Sequence, residues 1–211
     1  MSNTNFPELE SRERIIRVAA LLFAERGYHA VGVNDICEAV GLSRGALYHH
    51  IHSKEEILDE ICSSYMTQLG VLARHTIEHE PKPEIQLQKL GHDLIDIIAR
   101  HKAELTVCFR EIQSLTGERR DRVLGLHAAY ERIWADVLKA GAKTGRFRAY
   151  SKPRLKGLLG MYYYSYIWIQ PENRPMIKES TDTLHDIVLK AVLTLSEPPA
   201  AKRAARKTNR G

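Results

Sequence analysis

Along most of the chain apolar residues return every three or four positions, the spacing of one helix face, while strict alternation never lasts beyond a few residues. Segment 12–26 places Ile15, Ala19, Leu22 and Phe23 on one face. Ser11 stands where a cap is wanted, and Gly27 where a helix ends in left-handed backbone. The same reading predicts short helices over about 33–40 and 44–50. A long one starts near Ser53, with Glu56 at capping-box spacing, and runs to about His79, where Pro81 and Pro83 stop it. Further helices are expected at about 84–101, 104–115, 118–145, 152–169 and 177–196. With no Asn-Gly hairpin turn, the expectation is an all-α protein of about nine helices.

Composition adds bounds. The chain has 211 residues, 44% hydrophobic and 27% charged, which suits one or two globular units and excludes wholesale disorder. No stretch approaches the roughly 18 apolar residues of a membrane span, and MSNTNFPELESRER lacks the apolar core of a secretory signal, so no membrane partner is expected and the cytoplasm is. Cys37, Cys62 and Cys108 form no CxxC pair and read as buried thiols in a reducing compartment. The net charge of +5 is uneven: residues 1–60 hold six Lys and Arg against ten Asp and Glu, and residues 197–211 hold five against one. Net charge is therefore no argument for nucleic-acid binding by the first third. The expected division is 1–52, 53–196, and a basic tail, 197–211, with no apolar periodicity.

The most informative segment is 31–58, VGVNDICEAVGLSRGALYHHIHSKEEIL, whose spacing is that of a helix-turn-helix. Ile36 and Val40 face inward, Gly41 supplies the turn, Leu42 plugs the core and Ser43 caps the next helix. Ala46 is small where the two helices cross, and Leu47 points inward. The outer face then carries Arg44, Gly45, Tyr48 and His49, which suit close approach to a major groove with phosphate or base-edge contacts. Lys54, at the start of the next helix, is placed to meet a phosphate. Asn34, Ser43 and Ala46 join these four and Lys54 as the expected DNA-contacting set.

On these residues the segment resembles the DNA-binding domain of the TetR family of bacterial transcriptional repressors. The resemblance rests on Phe23, Gly27, Tyr28 and Val33, on Asp35–Ile36 and Gly41–Leu42–Ser43, on Gly45 and Leu47–Tyr48–His49, and on Ser53–Lys54–Glu55–Glu56. It implies a homodimer on a palindromic operator, released by a small-molecule effector bound in the helical remainder, with the last two helices forming the dimer seam. Two departures stand out. Gly32 sits where the family usually has a Ser or Thr cap, and Ile51 follows His50 where Phe is usual.

The stretch 160–170, GMYYYSYIWIQ, gathers four of the nine Tyr and one of the two Trp into a segment apolar nearly all round. Such a helix is buried on two sides, and in the resembled family it faces both the ligand and the other subunit. Buried Tyr hydroxyls need partners, which favours a polar ligand or an interface over dry core. Candidate effector residues are Phe109, Tyr130, Trp134, Tyr163 and Trp168. Arg146 and Arg148, from the basic run Lys139 to Lys156, are expected at the cavity mouth, where Arg can hold phosphates. A solvated surface is the competing reading of that run and of Arg119, Arg120 and Arg122. The expected seam uses Leu155, Leu158, Leu159, Tyr162 and Tyr166 with Leu184, Ile187, Val188, Ala191 and Leu195. The layout of 105–175 is similar to family members regulating fatty-acid or sterol catabolism, which implies an acyl-CoA effector.

Other constellations are weaker. His49, His50 and His52 do not share a helix face with a third ligand, and His92, Asp93 and Asp96 read as a solvated face, so neither a metal nor another cofactor is expected. No GxSxG, HExxH, Walker or dinucleotide motif occurs, and catalysis is not expected. The alternatives kept are a repressor sensing an uncharged hydrophobic compound, as in efflux control, an activator or ligand-independent DNA-binding module, and an enzyme or carrier on a helical scaffold.

Overall fold

A computed structural model describes residues 11–194, and the expected tail lies outside them. Among the described residues nine α-helices follow in order: α1 (Ser11–Arg26), α2 (Val33–Val40), α3 (Arg44–His50), α4 (Lys54–His79), α5 (Pro83–Arg100), α6 (Lys102–Glu111), α7 (Gly117–Lys143), α8 (Lys152–Tyr164) and α9 (Arg174–Val192). There is no strand among the described residues, only an isolated bridge between Phe147 and Leu193.

Local chemistry sets most boundaries. Gly41 ends α2 at φ +70, and its amide and that of Leu42 return to carbonyls of the last turn. The Ser43 hydroxyl accepts the Ala46 amide at 3.2 Å and Ser53 accepts that of Glu56 at 3.0 Å. The expected reciprocal contact is displaced by one residue, because the Glu56 carboxylate accepts from the His52 amide at 2.7 Å. Gly32 cannot cap α2 through a side chain, yet Asp35 still accepts its amide at 2.6 Å.

Three ends differ from expectation. The sixth helix stops at Glu111 and continues as a 3-10 turn over Ile112–Ser114. Likewise α8 stops at Tyr164 and tightens into a 3-10 turn over Ser165–Ile167, where apolar periodicity alone carried the helix further. The last helix starts early because Asn173 accepts the Met176 amide at 3.0 Å and Pro175 suits a first turn.

The first three helices enclose a small core of Ile15, Ala19, Phe23, Ile36 and Leu47. Its contents run continuously into the body, since α1 packs on α6 as well as on α4. Along the body α4 lies against α5, α6 and α7, and α5 is covered by α7, α8 and α9. The α7–α8 connection clasps the end of α9: the Arg148 amide donates to the Val192 carbonyl at 2.7 Å, and Thr194 to that of Arg146 at 3.2 Å. No helix is long and apolar enough to cross a membrane among the described residues.

Candidate DNA-binding and effector sites

Helix α3 presents an open outer face. Ser43, Arg44, Gly45, Tyr48 and His49 are exposed, as is Asn34 on α2, while Leu47 is buried and Ala46 half-buried where the helices cross. A Cβ on Gly45 would meet nothing within 4 Å, so the face has room for another surface to approach closely. The Arg44 guanidinium lies 5.7 Å from the centre of the Tyr48 ring, which orients the charge without neutralising it. Ser43 is already used as the cap, so its hydroxyl fixes α3 before it touches anything else.

Lys54 is less free than its position suggested. It is half-buried, with its ammonium 4.2 Å from the centre of the Tyr28 ring and 5.7 Å from that of Phe23. Burial lowers its pKa from the ordinary lysine value, with Glu111 and Asp35 acting against that.

The reading head is fastened to the body by charged pairs. Arg12 on α1 donates to the His50 carbonyl and to Glu56 at 2.9 Å and Glu60 at 2.5 Å, which ties the end of α3 to α4. Arg17 meets buried Glu104 at 2.6 Å across α1 and α6. Burial opposes ionisation of Glu104, but His101 and Arg17 outweigh it and hold its pKa below the usual carboxylate range. Arg119 pairs with Glu55 at 2.9 Å, and Arg122 with buried Asp59. Arg119 and Arg122, read from sequence as surface or phosphate anchors, thus fasten α7 to α4.

Two aromatic groups occupy the body. The inner one is Tyr130, Trp134 and Tyr162, all buried, with ring centres 6.3 and 5.5 Å apart in sequence order. The Tyr130 and Tyr162 hydroxyls, Trp134 Nε1 and Ser165 Oγ have no hydrogen-bond partner among the described residues. Burial raises the pKa of both phenols, so they are neutral donors at any ordinary pH. The outer group is Phe109, Tyr163, Tyr166 and His127. Phe109 lies 5.7 Å from Tyr163 and 5.3 Å from Tyr166, and is itself 42% exposed.

Four of the five aromatic effector candidates therefore fall in these neighbouring groups. Trp168 does not: it is 39% exposed and packs on Tyr164, at 5.9 Å. Nor are Arg146 and Arg148 at their mouth. Arg146 pairs with Glu84 at the start of α5, and Arg148 donates to the Leu193 carbonyl at 2.9 Å. The lower end of the aromatic helix lies at the other end of α5, where Lys102 donates to the Ile169 carbonyl at 2.7 Å. At 1.5 Å per residue the two ends of α5 are roughly 25 Å apart. The reason is the clasp on α9, which draws the basic connection away from the aromatic helix.

Most residues of the expected dimer seam are used within the protomer. Leu155, Leu158, Leu159, Tyr162, Leu184 and Val188 are buried within one protomer, and Tyr166 and Ala191 are half-buried. Leu195 lies outside the described residues. An apolar stripe fills its own core first, and periodicity alone does not say which of two faces meets a partner. Of the described members of that set only Ile187 is exposed, at 43%. On α8 the outward residues include Gly157, Gly160 and Tyr164, which share one face at helical spacing. Sequence reasoning missed Glu55, Asp59 and Tyr65, whose roles depend on partners more than 60 residues away.

No group of three or more His, Cys, Asp or Glu able to hold a metal occurs among the described residues. An exposed short helix against a capped glycine turn, set on an all-helical body with aromatic groups, defines a helix-turn-helix regulator with a sensing domain. Comparison with known proteins gives the same class. The family described as bacterial regulatory proteins, tetR family, matches residues 15–61, and the tetracyclin repressor-like C-terminal domain matches residues 80–192. The repressor KstR2 of Mycobacterium tuberculosis H37Rv is 33% identical over 138 residues, 65% of this chain and 69% of that protein. A solved structure of KstR2 of Mycobacterium tuberculosis, a ketosteroid transcriptional regulator, superposes with a TM-score of 0.81 at 27% identity, covering 88% of this chain and 96% of that one. PfmR of Thermus thermophilus gives 0.78 at 29% identity, covering 84% and 97%. The chain belongs to the TetR family of transcriptional regulators, ligand-responsive repressors that bind DNA through their helix-turn-helix unit.

Proposed function

We propose that the protein is a cytoplasmic, homodimeric repressor whose effector is an acyl-CoA of sterol or fatty-acid catabolism. The acyl part occupies the body beside Tyr130, Trp134 and Tyr162. The observation that carries this is the set of unpartnered polar atoms among those rings. Trp134 Nε1 can only donate, so it calls for an acceptor such as a ring or thioester carbonyl inside an otherwise apolar site. Kinship with KstR2 supports a sterol-derived acyl group.

Asn34, Ser43, Arg44, Gly45, Ala46, Tyr48, His49 and Lys54 form the DNA-contacting surface. Ile187 and the outward face of α8, with Gly157, Gly160 and Tyr164, form the seam. Binding shifts the population toward a dimer whose α3 helices no longer fit grooves about 34 Å apart. A differential affinity of about 100-fold, near 3 kcal/mol, suffices for derepression.

A second reading, an uncharged hydrophobic effector, is favoured by one observation: Arg146 and Arg148 are engaged away from the aromatic groups. Calorimetric titration with matched acyl-CoA and free-acid pairs separates the two. The first reading requires tighter binding of the thioester and release from operator DNA. Equal binding of the free acid overturns the first reading, and response to uncharged compounds alone establishes the second.

A further inference from the structure

Helix α9 packs chiefly on α5, with Leu184 and Val188 buried along its length. Beside them stands half-buried His185, whose ring meets that of His92 on α5 edge to face. The ring centres are 6.1 Å apart and the planes lie at 90°. His92 belongs to a segment expected to be a solvated face, yet it too is half-buried. His185 Nδ1 is buried and has no hydrogen-bond partner among the described residues. The charged neighbours on α9 are Asp182 and Asp186, both exposed and each held at 2.6 Å by a lysine of the same helix, Lys178 and Lys190. On α5 Asp93 follows His92, with Lys89, Asp96 and Arg100 around it. On α8, which also touches α9, the charges are Lys152, Arg154 and Lys156; the Ala149 carbonyl engages Arg154, and Glu131 engages Lys156.

We propose that His92 and His185 are a proton-operated latch on the α5–α9 joint, closed with both rings neutral and opened by protonation in mildly acid medium. The reason lies in donors and acceptors. A neutral imidazole carries one N–H, an imidazolium two. A charged His185 must therefore donate from the buried Nδ1, where no acceptor stands. Asp182 and Asp186 lie at the exposed rim, engaged by their lysines, and do not reach that nitrogen. The charge would also face a second ring that titrates in the same range. The packed joint thus fits the neutral pair and resists the charged one.

Burial first and His92 second lower the His185 pKa from its ordinary value, against Asp186 and Asp182. A lowered histidine pKa gives stability that is present above the unfolded value, about 6.5, and is lost as pH falls from there through the folded one. Parting the two helices brings both rings into water, where each takes its proton without penalty, so acid shifts the population toward the parted form. Ile187 lies two residues from His185 on α9. Opening therefore disturbs the seam proposed above and, through it, the spacing of the two reading heads. That last step rests on the dimer reading; the latch itself rests only on the α5–α9 joint.

The test follows the full native chain from pH 7.5 to 5.0. Amide hydrogen exchange, corrected for its chemical pH dependence, should quicken about tenfold in α9 and the middle of α5, while α2 and α3 keep their protection. A proton NMR titration of the rings should give His185 an apparent pKa below 6.5, and His92→Gln should raise it by removing the second charge. The double variant His92→Gln with His185→Gln should lose the acid opening. If it does not fold, His92→Gln alone should still shrink the opening. Exchange in α9 that ignores pH, or an acid opening that persists undiminished in these variants, overturns the latch. Operator binding, read by anisotropy at pH 7.5 and 5.5, should fall in the native chain relative to the double variant or, failing that, to His92→Gln. Acid opening of α9 with no such difference supports the latch and overturns the seam at Ile187.

Discussion

Glu55, in the first turn of α4, accepts both the amide and the hydroxyl of Thr116, at 3.0 and 2.9 Å, and so serves as the missing cap of α7. One carboxylate in the first turn of α4 thus secures the start of α7. Those bonds hold the Glu55 pKa below the usual carboxylate value, with Arg119 adding to them. Glu104, which docks α6 on α1, is also held low. A lowered folded pKa gives stability that is present above the unfolded value, about 4.3, and is lost as pH falls through the folded one. Acid should therefore loosen the head from the body below about pH 4, before the helices melt. Hydrogen exchange in α1 and the first turns of α4 and α7, measured from pH 6 to 3, checks this. Glu55→Ala should move the loosening to higher pH, and an unchanged midpoint would count against the clamp.

Arg44 and Lys54 should act differently on DNA. Arg44 is exposed on α3, so Arg44→Ala should weaken operator binding and relax sequence preference, at roughly 1–3 kcal/mol if it reads a base edge. Lys54→Ala should weaken all sequences alike and reduce the salt slope by about 1 per subunit. Anisotropy titrations on operator and scrambled duplexes across a salt series separate the two. If Lys54→Ala leaves the slope intact, stacking on Tyr28 is its whole role.

Ile187 and Val188 are adjacent but face opposite ways. Ile187→Asp places a charge on the outer face and should yield folded monomers that lose operator binding. Val188→Asp buries an unpaired carboxylate inside the protomer, which should cost several kcal/mol and unfold the body. Sedimentation with circular dichroism distinguishes them. A folded dimer of Ile187→Asp would move the seam elsewhere.

Gly91 on α5 faces the Tyr162 ring so closely that a Cβ there would stand 2.3 Å from the hydroxyl. Gly91→Ala must push Tyr162 out of the inner aromatic group. Overpacking of this kind costs about 1–3 kcal/mol. Thermal melts should show that loss, and effector titration a weakened response. Unaltered stability would mean that the phenol has room to turn aside.

Helix ends were legible in the sequence wherever a side chain acts within a few residues. Gly41, Ser43 and Ser53 announced the first half of the fold, and Gly45, Tyr48 and His49 the outer face of α3. Contacts between distant segments were not. Nothing near Arg122 points to Asp59, or near Arg146 to Glu84, because a charge pattern tells which residues seek partners and not which partners they reach. The seam is ambiguous in the sequence for a related reason. Leu155, Leu158 and Val188 obey the same periodicity whether they fill a core or an interface. The folded protomer buries those three and leaves Ile187 outside.

The clasp between the α7–α8 connection and the end of α9 bears on the order of events during synthesis. The strip of α5 that packs on α9 is made early, yet its cover emerges from the ribosome about ninety residues later. Until then that strip and the underside of α8 are open to unwanted contacts, a span of several seconds at ordinary translation speeds of about 5–20 residues per second. The reading head packs within itself, on α4 and on α6, so its wait ends when α6 is made. A nascent chain should thus display a finished DNA-facing unit while its body still needs a chaperone, and Arg148 and Thr194 close the structure at the end.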